Sequence, residues 1–382
     1  MAKPDARPTS RPRATGRVWR AIRRRPAAFI SLVVLAVLYT SMLFAEFLSP
    51  YNPNTIFREH SYHPPNATLW SPEHGFGLQV QERVLVDQLN WRYARVSGEY
   101  HKVSVFVRGP EYRMWGLFSG SLRLFGVNEP YHPGGARWEE GGRNMPVFLF
   151  GADHMGRDVF SRVLFGARIS LTIGFVGIAV SLTLAIVVGG LAGYYGGALD
   201  WILMRFAEFV ILIPGLYLIL FLRSVLSHEL DSGQTFMLIT VILSFVGWPG
   251  SARLIRGMTH SIKREEFIIA AELDGIPPLV IIFRQIVPQM ASILIVSIAL
   301  GIPGFILGET VLSYLGLGIV DPAVSWGSLL NREVSTVNNL TSFPWFLWPG
   351  VFLIVTTLAY NFIGDLLRDL FDPHYRERRL GK

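Results

Sequence analysis

The chain has 382 residues, of which 51% are hydrophobic and only 16% are charged. A soluble domain usually carries about a quarter charged residues, so this composition argues against an ordinary soluble protein and indicates a membrane protein. The chain contains no cysteine, which excludes disulfide bonds and thiolate metal sites. The formal net charge is +7, and it is unevenly distributed.

The first 26 residues form a strongly basic arm, which contains nine lysines and arginines and a single acid, Asp5. A basic arm of this kind is found in some nucleic-acid-binding proteins. Here it directly precedes an apolar run, and positive residues next to a spanning helix favour the cytoplasmic side of a membrane. We therefore expect residues 1–26 to be cytoplasmic and to fix the orientation of the chain, with no nucleic-acid partner.

Six apolar stretches are long enough to cross a bilayer, which takes about 20 residues per helix. Backbone groups in lipid must satisfy their own hydrogen bonds, so each stretch is predicted to be helical. The first stretch is longer than a signal-peptide core and lacks a small-x-small cleavage site, so we interpret it as a retained anchor. The predicted fold is an all-α polytopic membrane protein with six transmembrane helices, at residues 27–48, 169–192, 202–222, 235–252, 291–308 and 343–363.

The short loops agree with one orientation of these six helices. The loop 253–290 and the tail 368–382 are rich in arginine and lysine, whereas the segments 223–234 and 309–342 each contain a single basic residue. Because positive loops stay inside, we expect both chain termini to be cytoplasmic.

Residues 49–150 are too long for a simple connection and are predicted to form a small β-rich extracytoplasmic domain inserted between helices 1 and 2. Val103, Val105 and Val107 alternate with other residues, so we expect them to share one face of a strand. Two shorter strands are predicted at 112–118 and 121–127, separated at Ser119 and Gly120.

No catalytic motif accompanies this organisation. A nucleotide-binding P-loop needs Gly-Lys followed by Ser or Thr, and none of the four lysines is followed by either residue. His60 and His63 would suit nickel or zinc, but two histidines in a proline-rich loop are more typical of surface residues.

Three charged residues precede the second predicted helix. Asp153, Arg157 and Asp158 suggest a metal or acid–base site, but their spacing favours the start of a helix with an internal ion pair.

The most informative segment is the polar stretch 264–288, which lies between two apolar runs. The small side chains of Ala270 and Ala271 would let a helix approach a partner surface closely. Gly275, followed by two prolines, is expected to end that helix, and Pro288 to mark the entry to the fifth span. The alternative is an ordinary amphipathic loop helix.

This spacing resembles the ATPase-docking loop of bacterial ABC importer permeases. The same resemblance is carried by other stretches, at residues 150–158 (FGADHMGRD), 166–171, 193–197, 313–318 with 325–327, and 364–369 with 372–373. Together they make the chain similar to the inner-membrane permease subunits of the dipeptide/oligopeptide/nickel class, in particular the dipeptide permease C-like subunits.

The resemblance implies a permease domain over residues 151–367 in the bacterial inner membrane, in contact with membrane lipid and without catalysis of its own. The implied partners are a second related permease, an extracytoplasmic solute-binding protein and two ATP-binding subunits that bind ATP and magnesium, so the chain itself needs no cofactor. Family loops usually begin Glu-Ala-Ala, and Ile269 occupies the glutamate position here. The implied ATPase-docking residues are Glu265, Glu266, Ala270, Ala271, Glu272, Gly275 and Pro288.

Few ionisable residues fall inside the spans, and such residues are candidates for function. Arg205 and Glu208 are expected to pair with each other. Glu309, at the outer end of the fifth span, is a candidate for the translocation path, with a cap or helix contact as the alternative. Pro214 and Pro303, each beside a glycine, are expected to bend their helices and are further candidates for the translocation path.

The sequence leaves the substrate open. Peptides are the first expectation, and oligosaccharides or another small solute such as nickel are the alternatives. A secondary transporter is another alternative. Such folds carry ionisable residues at mid-membrane, and this chain has almost none in the middle of its predicted spans, which argues against it.

Overall fold

The computed structural model describes residues 22–23, 25–71, 75–127, 146–226, 231–334 and 337–371. Most of the predicted cytoplasmic arm 1–26, the tail from 372 onward and the motif at 372–373 lie outside these residues.

Five helices in the described part of the chain are long and apolar enough to cross a membrane. Together they give a mostly helical, multi-pass architecture, as predicted. They are α1 (Pro26–Leu43), α3 (Val159–Tyr195), α6 (Ser232–Ile262), α10 (Ala291–Tyr314) and the stretch Pro344–Phe371, whose main part is α13 (Trp348–Phe371).

The third predicted span is two helices instead of one, α4 (Gly197–Leu212) and α5 (Gly215–Leu226). Ile213, the residue between α4 and Pro214, has an extended backbone (φ −78°, ψ 111°). Proline disfavours a helical conformation in the residue before it, so Pro214 breaks the segment where only a bend was expected.

Two other spans are longer than predicted. α3 begins at Val159 instead of 169, because Asp158 caps it with a side chain that accepts a hydrogen bond from the Ser161 amide at 2.8 Å. α6 ends at Ile262 instead of 252. The apolar stretches therefore locate the spanning part of these helices, while the helices themselves continue beyond it.

Residues 67–127 form a four-stranded antiparallel sheet in which sequence neighbours pair. The long strand β3 pairs with β2 through its first half and with β4 through its second half. The strands are β1 (Ala67–Ser71), β2 (Gly75–Asp87), β3 (Arg92–Met114) and β4 (Phe118–Val127).

Two strand predictions were wrong in detail. Val103 and Val107 are buried, but Val105 is 69% exposed although it pairs in the same register with β4, and the neighbouring Phe106 has a φ of 57°. The chain also reverses at Trp115–Leu117, four residues before the predicted separation at Ser119, with Gly116 at a φ of 74° in the turn.

Short helices connect the long ones. α2 (Ala45–Leu48) follows α1, and α7 (Glu266–Leu273) follows α6. The remaining elements are α8 (Pro278–Ile281), a π-helical turn (Ile282–Ile286), α9 (Val287–Gln289), α11 (Trp326–Glu333), α12 (Val337–Ser342) and a 3-10 turn (Pro344–Leu347).

Glycines on α3 let it pack closely against α6. A β-carbon added at Gly189 would lie 2.4 Å from the carbonyl oxygen of Ala252, and one at Gly193 would lie 2.5 Å from that of Arg256. Small residues of this kind allow the backbones of membrane helices to approach each other. α3 and α6 therefore form one closely packed pair.

Candidate functional site

The predicted docking segment contains the short helix α7, which lies between the spanning helices α6 and α10. Glu265 stands at the N-cap with an extended backbone, and Glu266 opens the first turn. Both acids are exposed. Negative charge at this end of a helix is favoured by the helix dipole.

The C-terminus of α7 ends as the sequence predicts. Gly275 has a φ of 74°, its amide donates to the Glu272 carbonyl at 3.1 Å, and the Ile276 amide donates to the Ala271 carbonyl at 3.1 Å. This pair of hydrogen bonds is a Schellman motif, which requires a left-handed residue at the glycine position. Nothing lies within 4 Å of a β-carbon added at Gly275, so its backbone conformation explains the glycine within this chain.

One face of α7 is buried in an apolar cluster that includes residues of the spanning helices. Ile268 is fully buried, and Ala271 is buried beside it. Their apolar cluster includes Tyr194 at the end of α3 and Ile255 in α6. Because α7 shares this buried cluster with α3 and α6, a displacement of α7 would act on the α3–α6 pair.

The opposite face of α7 is exposed. Glu266, Ile269, Ala270 and Leu273 follow the i, i+3, i+4, i+7 spacing of a single helix face, and all four are exposed. Leu273 is 84% exposed. We call these four residues the exposed ridge of α7. Its large apolar side chains are what a partner surface would cover.

Polar contacts hold α7 to the end of α3. The hydroxyl of Tyr194 donates to Glu272 at 2.7 Å, and Lys263 Nζ donates to the Tyr194 carbonyl at 2.8 Å. The Lys263 ammonium also lies 4.7 Å from the centre of the Tyr194 ring. The carboxylate of Glu272 is therefore engaged within the chain.

The seven predicted docking residues do not all lie on one surface of the protein. Ala271 faces the interior, while Pro288 is exposed in α9, just before α10. Sequence analysis did not include Ile269 and Leu273 among the site residues. Their i, i+4 spacing on one face, with Ile268 and Ala271 on the other, was the signal that could have identified them.

Glu309 lies inside α10, because that helix continues to Tyr314 instead of ending near 308. Its carboxylate is fully buried and accepts hydrogen bonds from Ser313 Oγ at 2.6 Å and Ser170 Oγ at 3.2 Å. Ser170 Oγ in turn accepts one from the Trp326 amide at 3.1 Å. Glu309 thus joins α3, α10 and α11, as in the helix-contact alternative.

The two predicted proline bends adjoin one apolar groove of about 480 Å³ between α5, α6 and α10. Gly215, next to Pro214, and Gly304, next to Pro303, both line it. α10 continues as a helix through Pro303. The groove is open and lined by backbone and apolar side chains.

The charged residues before α3 form the predicted ion pair. Arg157 Nε lies 2.7 Å from Asp153 Oδ2, and both side chains are buried. Arg157 and Arg162 also reach Asp321, in the segment after α10, at 3.2 and 3.0 Å. The predicted pair of Arg205 and Glu208 is present at 2.5 Å and is exposed.

The expectation that His60 and His63 lie on the surface was wrong. Both are buried, their ring centres are 5.2 Å apart, and His63 packs against Tyr93 and Phe148. Burial lowers the pKa of His60 to about 4. Burial and the neighbouring His60 lower the pKa of His63 well below its ordinary value.

Comparison with known families gives two matches. Residues 185–377 match the family described as the binding-protein-dependent transport system inner membrane component. Residues 14–65 match the N-terminal transmembrane domain of oligopeptide transport permease C.

Curated relatives agree with these families. The chain is 39% identical over 229 residues to the oligopeptide transport system permease protein OppC of Haemophilus influenzae, covering 60% of this chain and 71% of that one. It is 40% identical over 228 residues to OppC of Escherichia coli K12, covering 59% and 72%. It is 37% identical over 228 residues to the dipeptide transport system permease protein DppC of Bacillus subtilis, covering 59% and 69%.

Among solved structures, the chain is similar to a structure of the MetNI methionine ABC transporter in inward-facing conformations. The TM-score is 0.42 at 17% identity, covering 55% of this chain and 97% of that one.

Proposed function

Because this chain belongs to the family of binding-protein-dependent transport system inner membrane components, we propose that it is a permease subunit that, with a second related permease, forms the path by which peptides enter a bacterial cell. The relatives are named as oligopeptide and dipeptide transport permeases, which favours peptides over oligosaccharides or nickel. The chain serves transport and not catalysis, and ATP with magnesium is bound by two separate ATP-binding subunits.

The observation that carries this proposal is the exposed ridge of α7. A helix in a short loop presents Ile269 and Leu273 to solvent, although Ile268 and Ala271 of the same helix are buried. Large exposed apolar side chains on a rigid element are typical of a protein interface. We assign the ridge to contact with an ATP-binding subunit, with Glu265 and Glu266 supplying negative charge at its edge.

The coupling follows from the buried face of α7. Movement of the bound ATPase would displace Ile268 and Ala271, which share a buried apolar cluster with residues of α3 and α6. Close contact at Gly189 and Gly193 makes these two helices move together. ATP would thereby shift the population between inward-open and outward-open bundles.

In this arrangement the bundle has six spans, with α4 and α5 together forming the third. Both chain termini and the loop 264–288 are cytoplasmic. The sheet at 67–127 is extracytoplasmic, on the side to which a solute-binding protein delivers substrate. The groove beside Gly215 and Gly304 is our candidate for part of the translocation path.

The docking role can be tested with Leu273→Asp. Burying an aspartate in an interface costs several kcal/mol, so we expect co-purification of the ATP-binding subunits and ATP-driven peptide uptake in vesicles to fall at least about tenfold, a loss of ~1.4 kcal/mol. Membrane insertion should be unchanged.

The matched control for this experiment is Leu89→Asp. Leu89 is 93% exposed in the turn between β2 and β3, far along the chain from α7. This variant should retain uptake. Wild-type uptake and ATPase co-purification in the Leu273→Asp variant would contradict the docking role.

The substrate class requires its own assay. Vesicles containing the full transporter should accumulate labelled di- to oligopeptides in an ATP-dependent manner, and labelled oligosaccharides and nickel should not accumulate. ATP-dependent accumulation of a sugar or nickel without peptide uptake would overturn the peptide assignment while leaving the permease role intact.

A further inference from the structure

The tip of the hairpin formed by β3 and β4 carries large, exposed apolar side chains. Trp115, Leu117 and Phe118 follow one another around the turn, and Leu117 is 78% exposed. Apolar side chains at an exposed turn are costly in water unless another surface covers them. We define these three residues as the hairpin tip.

The hairpin tip folds back onto the end of the first spanning helix. Trp115 Nε1 donates a hydrogen bond to the carbonyl oxygen of Leu43 at 3.1 Å. Leu43 is the last residue of α1. Earlier in β3, the ring centre of Phe106 lies 6.2 Å from the ring centre of Phe47 in α2.

An ion pair fixes this contact from the other side. Arg168 of α3 donates to Glu46 at 2.6 Å, and its guanidinium carbon lies 4.8 Å from the centre of the Trp115 ring. Trp115 therefore contacts both α1 and α3, at the end of the membrane-spanning part of each helix.

The length of α1 places this contact relative to the bilayer. Its 18 residues at 1.5 Å each span about 27 Å, close to the ~30 Å thickness of a hydrocarbon core. The whole helix is needed to cross, so Leu43 lies near the bilayer surface. Leu43 and Phe44 are themselves exposed, which extends the apolar surface of α1 to the hairpin tip.

We propose that the hairpin tip is a membrane anchor, with Leu117 and Phe118 inserted into the boundary between lipid headgroups and acyl chains. Trp115 takes the interfacial position that tryptophan favours, because its ring is apolar and its N–H is polar. The lipid bilayer covers the tip because the tip continues the lipid-facing end of α1. The anchor fixes the orientation of the sheet relative to the helix bundle.

The absence of cysteine from the chain makes a direct test possible. The Leu117→Cys variant of the full chain is labelled with bimane and reconstituted into phosphatidylcholine vesicles, with or without lipid brominated on the acyl chain near the headgroup. Bromine quenches only fluorophores that touch the acyl chains. We expect a loss of intensity in the brominated vesicles.

The control is Leu89→Cys, which has the same side chain in the turn at the opposite end of β3. Its label should keep its intensity with brominated lipid. Phe118→Cys provides a second site within the tip, so a perturbation at one position does not decide the result.

Two outcomes would overturn the proposal. Equal intensity at positions 117 and 118 with and without bromine, together with a water-like emission spectrum, would place the tip in solvent. A blue-shifted spectrum without bromine quenching would mean that a protein surface covers the tip instead of lipid.

Discussion

His60 and His63 lie in the segment that joins the first spanning helix to the sheet, where both are buried among aromatic rings. Burial disfavours the charged imidazolium, and the nearby Arg83 adds to the effect at His63. Each histidine is therefore held neutral in the folded protein. Their chemistry is determined by packing, which the proline-rich local sequence does not reveal.

Acid should destabilise the protein through these two histidines. The folded pKa of His60 is about 4, below its ordinary value of 6.5, so the unfolded chain binds more protons between these pH values. The contribution of neutral His60 to the free energy of unfolding is complete above about pH 6.5. It decreases as the pH falls towards 4, by up to ~3 kcal/mol in total.

The measurement is the thermal midpoint of the purified chain between about pH 7.5 and pH 5. His60→Phe should reduce the decrease seen in the wild type, and the exposed control His260→Asn should not. The same acid sensitivity in the His60→Phe variant would refute this role of burial.

The proposed coupling involves the elements α3, α6 and α7. α7 is only eight residues long, too short to be stable alone. Its stability comes from the burial of Ile268 in the apolar cluster that it shares with the long helices, and from the glycine cap at its end. The close α3–α6 contact in turn depends on glycines that leave room for backbone.

A small enlargement at the α3–α6 contact should be destabilising. Gly193→Ala places a methyl group 2.5 Å from the Arg256 carbonyl oxygen, so the helices must separate. We expect a loss of ~1–3 kcal/mol in the free energy of unfolding, measured by denaturant titration in detergent.

Gly257→Ala is the matched control for this contact. Gly257 lies in α6 with no atom near its added β-carbon. Alanine there should be neutral or stabilising by up to about 1 kcal/mol, since alanine is the better helix former. Equal destabilisation by both substitutions would show that the α3–α6 approach is not the limiting contact.

At the scale of the whole molecule, buried charges connect distant parts of the chain. Asp321, after α10, forms ion pairs with Arg157 and Arg162 around the start of α3. It also pairs with Arg332 at 2.7 Å. Removing one partner of a buried network leaves the other charges uncompensated. The network thus joins the start of α3 to the segment after α10.

We expect Asp321→Asn to destabilise the protein by ~1–3 kcal/mol, because Arg157 and Arg162 would lose charged hydrogen bonds and share Asp153 as their remaining carboxylate. The control is Arg205→Gln, which breaks an exposed pair and should cost less than about 1 kcal/mol. Thermal midpoints of the two variants provide the comparison. A similarly small shift in both would mean that the Asp321 network contributes little.

Sequence patterns alone predicted the membrane character, the spanning part of the long helices and the glycine that ends α7. These features follow from composition and from neighbours within a few residues, where caps, turns and periodicity act. These patterns did not predict which face of α7 is buried, that His60 is enclosed, that Glu309 binds Ser170, or that Trp115 contacts Leu43. Each of these depends on residues far apart in the chain or on packing from several elements, which local sequence patterns do not encode.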